Sequence, residues 1–302
     1  MASDVVEGRL AAARWVRVVS DHVTLTKPRI VAMLLLTAYG AMVLATPGWP
    51  RPGLVLATLS GLFLPARGAH AVNMWYDRDI DPVMSRTAKR PIPQGRVKPT
   101  AALVQGIGME IASIGLLATA VDPSAAVWST VGFLVYVGVY TIGLKRRTPL
   151  NIVIGGAAGG FPPLVGWAAV AHHLAGPAWL LFAMIGLWTP PHFWSLALFR
   201  LDDYRSARVP MMPLVRGERV TKRQSAVYAA LLVGASIALA WTRVVSARYL
   251  FIVVPLDLLF LGTTLRMGQE RLPAVRWAKR TFAASLLYMT ALVAAWVIGA
   301  RW

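Results

Sequence analysis

Residues 73–81 have the sequence Asn-Met-Trp-Tyr-Asp-Arg-Asp-Ile-Asp, and they join an apolar segment to a basic loop. If a helix over the apolar segment continues to Asp81, then Asn73, Asp77 and Asp81 lie on one helix face over successive turns. Pro82 makes Asp81 a natural last helical residue. Carboxylate and amide oxygens without interleaved Cys or His suit a hard divalent cation such as Mg²⁺, which completes its shell with phosphate oxygens and water. The stretch therefore predicts a site for a metal-bound phosphorylated ligand.

The composition places this site in a membrane. Of the 302 residues, 57% are hydrophobic and 15% charged, and the mean hydropathy of +0.57 is too high for an ordinary soluble domain. We predict an all-α polytopic membrane protein, with residues 1–29 as a cytoplasmic amphipathic leader and residues 30–302 as a single domain of nine transmembrane helices. We expect no cleavable signal, because the first apolar run begins only near residue 30, and the absence of cysteine excludes disulfides and thiolate ligands. Each predicted span has a length close to the roughly 20 residues that cross a bilayer. The predicted spans are residues 30–46, 53–75, 100–121, 125–143, 150–171, 176–199, 224–242, 249–266 and 281–300.

The net charge of +18 is mainly a topological signal, and we expect no nucleic-acid partner. With nine spans, the leader and the loops after the even-numbered spans share one side of the membrane. That side holds every Lys and Arg except Arg51, Arg67, Arg243, Arg248 and Arg301. This asymmetry follows the positive-inside rule, so it predicts a cytoplasmic amino terminus and an outer carboxyl terminus in the cell membrane.

A second acidic cluster, Asp202 and Asp203, follows the sixth predicted span. The same span contains Pro190 and Pro191, which are expected to break or kink the helix, and His192 directly after them. His192 is either a hydrogen-bonded interior histidine or a residue that ligates or orients a cofactor. Because the second and sixth spans run in the same direction, the two acidic clusters are predicted to meet on the cytoplasmic face.

Basic and glycine-rich motifs follow the fourth predicted span. Lys145 and Arg146 are either a common stop-transfer cluster or donors for an anionic ligand. The glycines of residues 155–160 have small-xxx-small spacing, which favours close helix packing over a phosphate-binding loop. His172 and His173 are interpreted as surface residues, since two histidines without a third ligand are weak evidence for a metal.

Two Asp clusters ringed by Lys and Arg, above an apolar helix bundle, describe a site for a diphosphate with an apolar tail. Bound Mg²⁺ makes the diphosphate a better leaving group, and Arg and Lys complete an anion clamp. The apolar tail can lie between the helices.

The spacing Asn73-x-x-x-Asp77-x-x-x-Asp81 resembles the first aspartate motif of the intramembrane aromatic prenyltransferases, the UbiA superfamily. Longer strings are similar to the branch of that superfamily that farnesylates haem. The resemblance runs from about residue 22 to residue 228, and it is carried by the strings at residues 25–30, 73–97, 144–156, 162–168, 190–194, 203–204 and 209–213.

The resemblance implies a UbiA-type bundle of nine helices with its active site on the cytoplasmic side. The implied reaction transfers the farnesyl group of farnesyl diphosphate to the 2-vinyl group of haem b, with addition of water, to give haem O and diphosphate. Asp77, Asp81 and Asp203 would hold Mg²⁺, and Asn73 would orient or coordinate it. The superfamily's second motif is usually Asp-x-x-x-Asp, but Phe199 stands four residues before Asp203, so Asp202 is a candidate for the missing metal contact.

The same resemblance supplies the remaining site residues and partners. The expected partners are farnesyl diphosphate, haem b and the lipid bilayer, with haem A synthase or oxidase assembly factors as further candidates. Arg86, Lys89, Arg90, Lys145 and Arg146 are candidates for contacts with the diphosphate or the haem propionates. Candidate haem contacts are His192, then His70, and Trp194.

Two other functions are open at this level. A related prenyltransferase acting on a quinone precursor or a chlorin would share the Asp motif but would not predict the Pro190–Trp194 string. A secondary transporter of an anionic solute also uses broken helices and intramembrane charges. It would not require two acidic clusters of the kind that bind Mg²⁺.

Overall fold

The computed structural model describes residues 20–25 and 28–301, excluding the side chains of residues 28 and 29, and it is built from helices. The predicted leader, residues 1–29, lies largely outside the described residues. The helices are α1 Pro28–Ala45, α2 Pro52–Tyr76, α3 Pro99–Ala120, α4 Pro123–Leu134, α5 Asn151–Gly156, α6 Phe161–Ala171, α7 Gly176–Leu198, α8 Leu201–Ser206, α9 Met212–Val215, α10 Gly217–Trp241, α11 Ala247–Gln269 and α12 Arg276–Gly299. A π-helical segment, Val135–Leu144, continues α4. A 3₁₀ turn, Asp77–Asp79, follows α2, and another, Ala157–Gly160, lies between α5 and α6.

Each span predicted from the sequence overlaps a helix in the described part of the chain. Within that part, seven helical segments are long and apolar enough to cross a membrane. The first apolar helix, Ile30–Ala45, is shorter, and α7 carries polar and proline residues in its middle. The multi-pass character is therefore supported, and the crossing of all nine spans stays a prediction.

Glycines allow the helices of this bundle to approach closely. At the crossing of α2 and α3, a Cβ added to Gly68 would lie 2.5 Å from the carbonyl oxygen of Gly106. In the glycine-rich segment, a Cβ on Gly156 would lie 2.7 Å from the Thr189 side chain of α7, and one on Gly160 would lie 2.7 Å from Phe182. The packing role predicted for this segment is confirmed.

The structure differs from the sequence-based expectation at two helix positions. α2 does not continue to Asp81, because the backbone tightens into a 3₁₀ turn in which the Ile80 amide donates to the Asp77 carbonyl at 3.0 Å. α7 is not broken at Pro190 and Pro191 but runs unbroken through them. The predicted break is therefore wrong, and a kink at the two prolines stays a prediction.

The segments that carry the predicted charged residues meet at one end of the bundle. Ser85, in the segment after α2, contacts Asp203 in α8, and Lys145, after the π-helix, contacts Asp77. The prediction that the two acidic clusters lie on the same face is consistent with these contacts.

Candidate active site

A cavity of about 540 Å³ opens among the helices at this end of the bundle. Its inner wall is apolar and includes Met33, Leu62, Phe133 and Ile185. Its polar groups come from α2, the segments that follow α2 and α4, and α8, and they include Asn73, Asp81, Arg86, Arg90, Lys145, Asn151 and Tyr204. The cavity therefore combines a charged lining with an apolar one, as an anionic group attached to an apolar tail requires.

Asp77 is fully buried at the junction of α2 and the 3₁₀ turn. Its Oδ2 accepts a hydrogen bond from Asn73 Nδ2 at 3.0 Å and forms an ion pair with Lys145. The Nη2 atom of Arg146 lies 3.5 Å from Oδ1, which accepts no hydrogen bond within the described residues. A buried carboxylate with one unsatisfied oxygen is a natural ligand for a cation.

Asp81 is 2% exposed and lines the cavity. A single guanidinium nitrogen of Arg90, which also lines the cavity, donates to both of its carboxylate oxygens, at 2.8 and 2.7 Å. Asp79, between the two buried acids, points away from them, and its 58% exposed side chain pairs with Arg146 at 2.6 Å. The structure thus separates Asp79 from the metal candidates, as expected from the spacing.

Asp203 is held by the segment that follows α2. The Ser85 amide donates to its Oδ1 at 3.1 Å and the Ser85 hydroxyl donates to its Oδ2 at 2.9 Å. Asp202, by contrast, has a side chain that is 95% exposed and pairs with Arg205 at 2.6 Å. The structure therefore joins Asp203, and not Asp202, to the segment that carries the first motif.

The donor atoms near the cavity fit Mg²⁺ in kind. Within residues 20–25 and 28–301, no three His, Cys, Asp or Glu side chains are grouped so that they could hold a metal ion. The buried carboxylates are instead neutralised by Lys145 and Arg90. Mg²⁺ prefers hard oxygen donors. Asp77 offers an unsatisfied carboxylate oxygen, and Asp81 offers a carboxylate in the cavity wall.

The wide turns of the π-helix lead directly to Lys145. Thr141, in the π-helix, accepts a hydrogen bond from Asn73 at 3.3 Å and donates to the Tyr136 carbonyl at 2.9 Å. Burial lowers the pKa of Lys145, although Asp77 beside it acts in the opposite direction. The hydrogen bond with Asp79 raises the pKa of Arg146, so this guanidinium stays charged.

The remaining predicted anion contacts divide between cavity and surface. Arg86 lines the cavity next to Tyr204. The pKa of Tyr204 is raised above its usual value, because the effect of burial exceeds the opposite effect of Arg86. Lys89 is exposed and is not among the residues that line the cavity. Arg86, Arg90 and Lys145 are therefore the cations placed to contact a ligand inside it.

Of the predicted haem contacts, His192 and His70 line the cavity. The His70 Nδ1 atom lies 3.1 Å from the Tyr136 hydroxyl. Trp194 does not line the cavity, contrary to the expectation, because it is fully buried in a separate apolar cluster and packs edge-on against Tyr228.

Three residues that shape the site are not among those predicted from the sequence. Ser85 and Tyr136 reach the motif residues only through tertiary contacts. Asn151 lines the cavity and donates from Nδ2 to the Thr148 carbonyl at 2.7 Å, so it shapes the turn after Lys145. Ser85 and Asn151 lie inside the strings at residues 73–97 and 144–156, and this position is the signal that could have identified them.

Comparisons with known proteins find similar sequences over most of the chain. Residues 34–287 match the model of the UbiA prenyltransferase family. The chain is 50% identical over 273 residues to a protoheme IX farnesyltransferase of Symbiobacterium thermophilum, covering 90% of this chain and 91% of the relative. It is 46% identical over 279 residues to a protein of the same name from Thermosynechococcus vestitus, covering 92% and 87%.

Solved structures show the same fold. A structure described as digeranylgeranylglyceryl phosphate synthase superposes with a TM-score of 0.77 at 17% identity, over 94% of this chain and 98% of that one. A UbiA homolog from Archaeoglobus fulgidus bound to DMAPP and Mg²⁺ superposes with a TM-score of 0.66 at 16% identity, over 91% and 98%.

Proposed function

Because the chain belongs to the UbiA prenyltransferase family, we propose that it transfers the farnesyl group of farnesyl diphosphate to the 2-vinyl group of haem b. Water adds in the same overall reaction, and the products are haem O, diphosphate and a proton. The observation that carries this proposal is the cavity, which joins the buried carboxylate of Asp81 and three cations to an apolar interior large enough for an isoprenoid tail. One of those cations, Lys145, pairs with the buried Asp77. The relatives at 41–50% identity share the name protoheme IX farnesyltransferase.

Asp77, Asp81 and Asp203 would hold Mg²⁺, and Asn73, which donates to Asp77, would keep that carboxylate in position. Mg²⁺ bound there supplies neutralising charge to the diphosphate oxygens and so makes diphosphate a better leaving group. The Archaeoglobus homolog solved with DMAPP and Mg²⁺ supports this use of the metal. We leave Asp202 out of the ligand set, because it faces solvent.

The cations of the cavity bind the diphosphate. Arg90 and Lys145 each neutralise a buried carboxylate in the absence of substrate, and Arg86 lies beside them in the cavity wall. Charge-assisted hydrogen bonds from these groups hold the anion so that the C1–O bond of the prenyl chain faces the interior. Lys89 and Arg146, which lie nearer the surface, would bind the haem propionates.

The bond that breaks joins C1 of the farnesyl chain to the diphosphate oxygen, and the bond that forms joins C1 to the vinyl carbon of haem. Allylic cation character develops at C1, and the aromatic faces of cavity residues such as Tyr140 and Phe133 stabilise it. Water captures the positive charge left on the porphyrin side chain and loses a proton. His192, with His70 as the alternative, binds the haem iron.

Nine spans with a cytoplasmic amino terminus would place this end of the cavity at the cytoplasmic face of the cell membrane, as the positive-inside rule favours. Residues 30–302 then form one domain. The product passes to haem A synthase or to oxidase assembly factors at the same membrane.

The test is production of haem O in a host that lacks it. Expression of this chain should yield a haem heavier than haem b by one farnesyl group plus water, measured by chromatography and mass spectrometry of extracted haems. The Asp77→Ala variant, present in the membrane at the same level, should yield haem b only. If wild type inserts well and yields only haem b, the proposal is wrong.

A further inference from the structure

The surroundings of His192 single out one residue with no assigned role, Ser285 of α12. Ser285 is fully buried, and its hydroxyl oxygen lies 2.6 Å from Nδ1 of His192. The two residues are 93 positions apart, so this contact ties α12 to α7. It is made at the wall of the cavity, which His192 lines.

The hydrogen-bond geometry decides which nitrogen of His192 carries the proton. The Ser285 hydroxyl also lies 2.6 Å from the carbonyl oxygen of Phe282. A carbonyl oxygen accepts but cannot donate, so the single hydroxyl proton points to Phe282. The Ser285 oxygen then faces Nδ1 of His192 with lone pairs only. Nδ1 must therefore be the protonated nitrogen, and Nε2 carries the lone pair.

The imidazole is also fixed in orientation. It stacks against Trp188 at a centroid distance of 4.2 Å and an angle of 16°, and against Phe282 at 4.8 Å and 23°. Trp188 is held by the same residue, because its indole nitrogen donates to the Ser285 carbonyl at 3.0 Å. Ser285 thus fixes His192 through its side chain and Trp188 through its backbone.

No described hydrogen bond within residues 20–25 and 28–301 involves Nε2 of His192. An imidazole whose Nδ1–H is held by an acceptor, and whose Nε2 lone pair is left for a ligand, is the arrangement in which histidine binds a metal. We propose that Ser285 is a positioning residue for the haem substrate: it fixes the tautomer and the plane of His192 so that Nε2 binds the haem iron. This inference rests on the proposed function, because it takes haem as the ligand.

The test uses full-length protein in detergent, with ferric haem b and metal-free protoporphyrin IX as two separate probes. His192→Ala should abolish the shift of the Soret band that accompanies haem binding. Ser285→Ala should weaken haem binding about tenfold and raise the haem midpoint potential, because the imidazole loses the acceptor that increases its basicity. Ser285→Thr, which keeps the hydroxyl, should restore both values.

Metal-free protoporphyrin separates positioning from mere packing. It has no iron to bind, so Ser285→Ala and His192→Ala should leave its affinity within about twofold of wild type. Ser225→Ala is the matched control, because Ser225 is a fully buried serine of α10 that donates only to the Thr221 carbonyl at 2.8 Å. It should leave the Soret band, the potential and both affinities unchanged.

Two results would overturn the inference: an unchanged spectrum and potential in Ser285→Ala, or an equal loss of affinity for haem and for protoporphyrin. Neither result touches the proposed function if wild type still makes haem O. If wild type makes no haem O, the proposed function fails instead, whatever Ser285 does to haem binding.

Discussion

Arg90 donates from one guanidinium nitrogen to both carboxylate oxygens of Asp81, at 2.8 and 2.7 Å, inside the wall of the cavity. The pair keeps a buried negative charge compensated before any ligand binds. In the proposed function, the same guanidinium would turn to the diphosphate, and Mg²⁺ would take its place beside Asp81. The contact therefore leads to two predictions about Arg90.

Replacing Arg90 by Gln should raise KM for farnesyl diphosphate about tenfold, because a charge-assisted hydrogen bond contributes roughly 1.5–3 kcal/mol. The half-saturating Mg²⁺ concentration should fall, since Asp81 loses the cation that competes with the metal. Steady-state assays in which farnesyl diphosphate and then Mg²⁺ are varied measure the KM and the half-saturating Mg²⁺ concentration. Arg96→Gln is the control, because Arg96 pairs with Asp21 at 3.1 Å outside the cavity, and an unchanged KM in Arg90→Gln would contradict the assignment.

The two neighbouring acids of α8 should behave differently. Asp203→Asn should lower kcat/KM by about 100-fold, or roughly 2.7 kcal/mol, because it removes a charge of the proposed metal site, which Ser85 holds in position. Asp202→Asn should stay within about twofold, since its exposed side chain forms a surface ion pair with Arg205. Equal losses in the two variants would show that Asp202 also binds the metal.

Removal of divalent cations tests the site as a whole. Dialysis against EDTA should abolish farnesyl transfer, and Mg²⁺ should restore it. Ca²⁺ should restore it poorly, because it prefers longer bonds and more ligands. Haem binding, followed by the Soret band, should survive the treatment, and its loss would place the metal in a structural role.

The buried carboxylate of Asp257 in α11 should stabilise the fold. Its two carboxylate oxygens accept hydrogen bonds from Ser236 at 2.5 Å and from Tyr288 at 2.7 Å, so it joins α10, α11 and α12. Asp257→Asn turns one acceptor into a donor and should cost about 2 kcal/mol, seen as a lower melting temperature in detergent. Thr263→Val is the control, because its hydroxyl makes a single local bond to Phe260. Equal melting temperatures of wild type and Asp257→Asn would refute the role.

Asp122 should confer a pH-dependent stability on the opposite end of the bundle. Partial burial by itself raises the pKa of Asp122, but hydrogen bonds from Ser124 and His172 outweigh it and place the pKa below its usual value of 3.8. Because the pKa is lower in the folded state, the stabilisation is present above about pH 4 and is lost as the pH falls through the folded-state pKa.

Asp122→Ala should therefore lower stability at pH 7 by about 1 kcal/mol, the usual contribution of an N-cap, since Asp122 accepts from the Ser124 amide at 2.8 Å at the start of α4. The difference from wild type should shrink as the pH falls below 4. Thermal unfolding in detergent across this range measures it. A difference that is constant with pH would rule out the carboxylate as its source.

Much of the site follows from local sequence. The spacing of Asn73, Asp77 and Asp81 survives in the structure, because even a 3₁₀ turn keeps residues four apart close together: the Asp81 amide bonds to the Asp77 carbonyl at 2.9 Å. The surface positions of His172 and Asp79 also follow from their neighbours in sequence.

Other features depend on contacts between distant parts of the chain. The π-helix of α4 has no local signal, because its sequence Val135–Leu144 is an ordinary apolar run. The prediction that Trp194 contacts haem in the cavity is wrong, because the resemblance identifies a motif but not the direction in which each side chain leaves the helix. The break predicted at Pro190 and Pro191 is wrong, because a membrane helix can continue through residues that lack an amide donor. The kink predicted as its alternative stays a prediction.

The contact between Ser85 and Asp203 spans 118 residues, and it has a consequence for biogenesis. During synthesis, the first acidic motif leaves the ribosome long before α8 does, so the proposed metal site could close only after a further 118 residues have been made. Ser285 emerges later still, and only its arrival completes the contact with His192. If His192 binds haem as proposed, the growing protein would acquire its charged pocket before its haem contact, and it would bind haem productively only once α12 has entered the membrane.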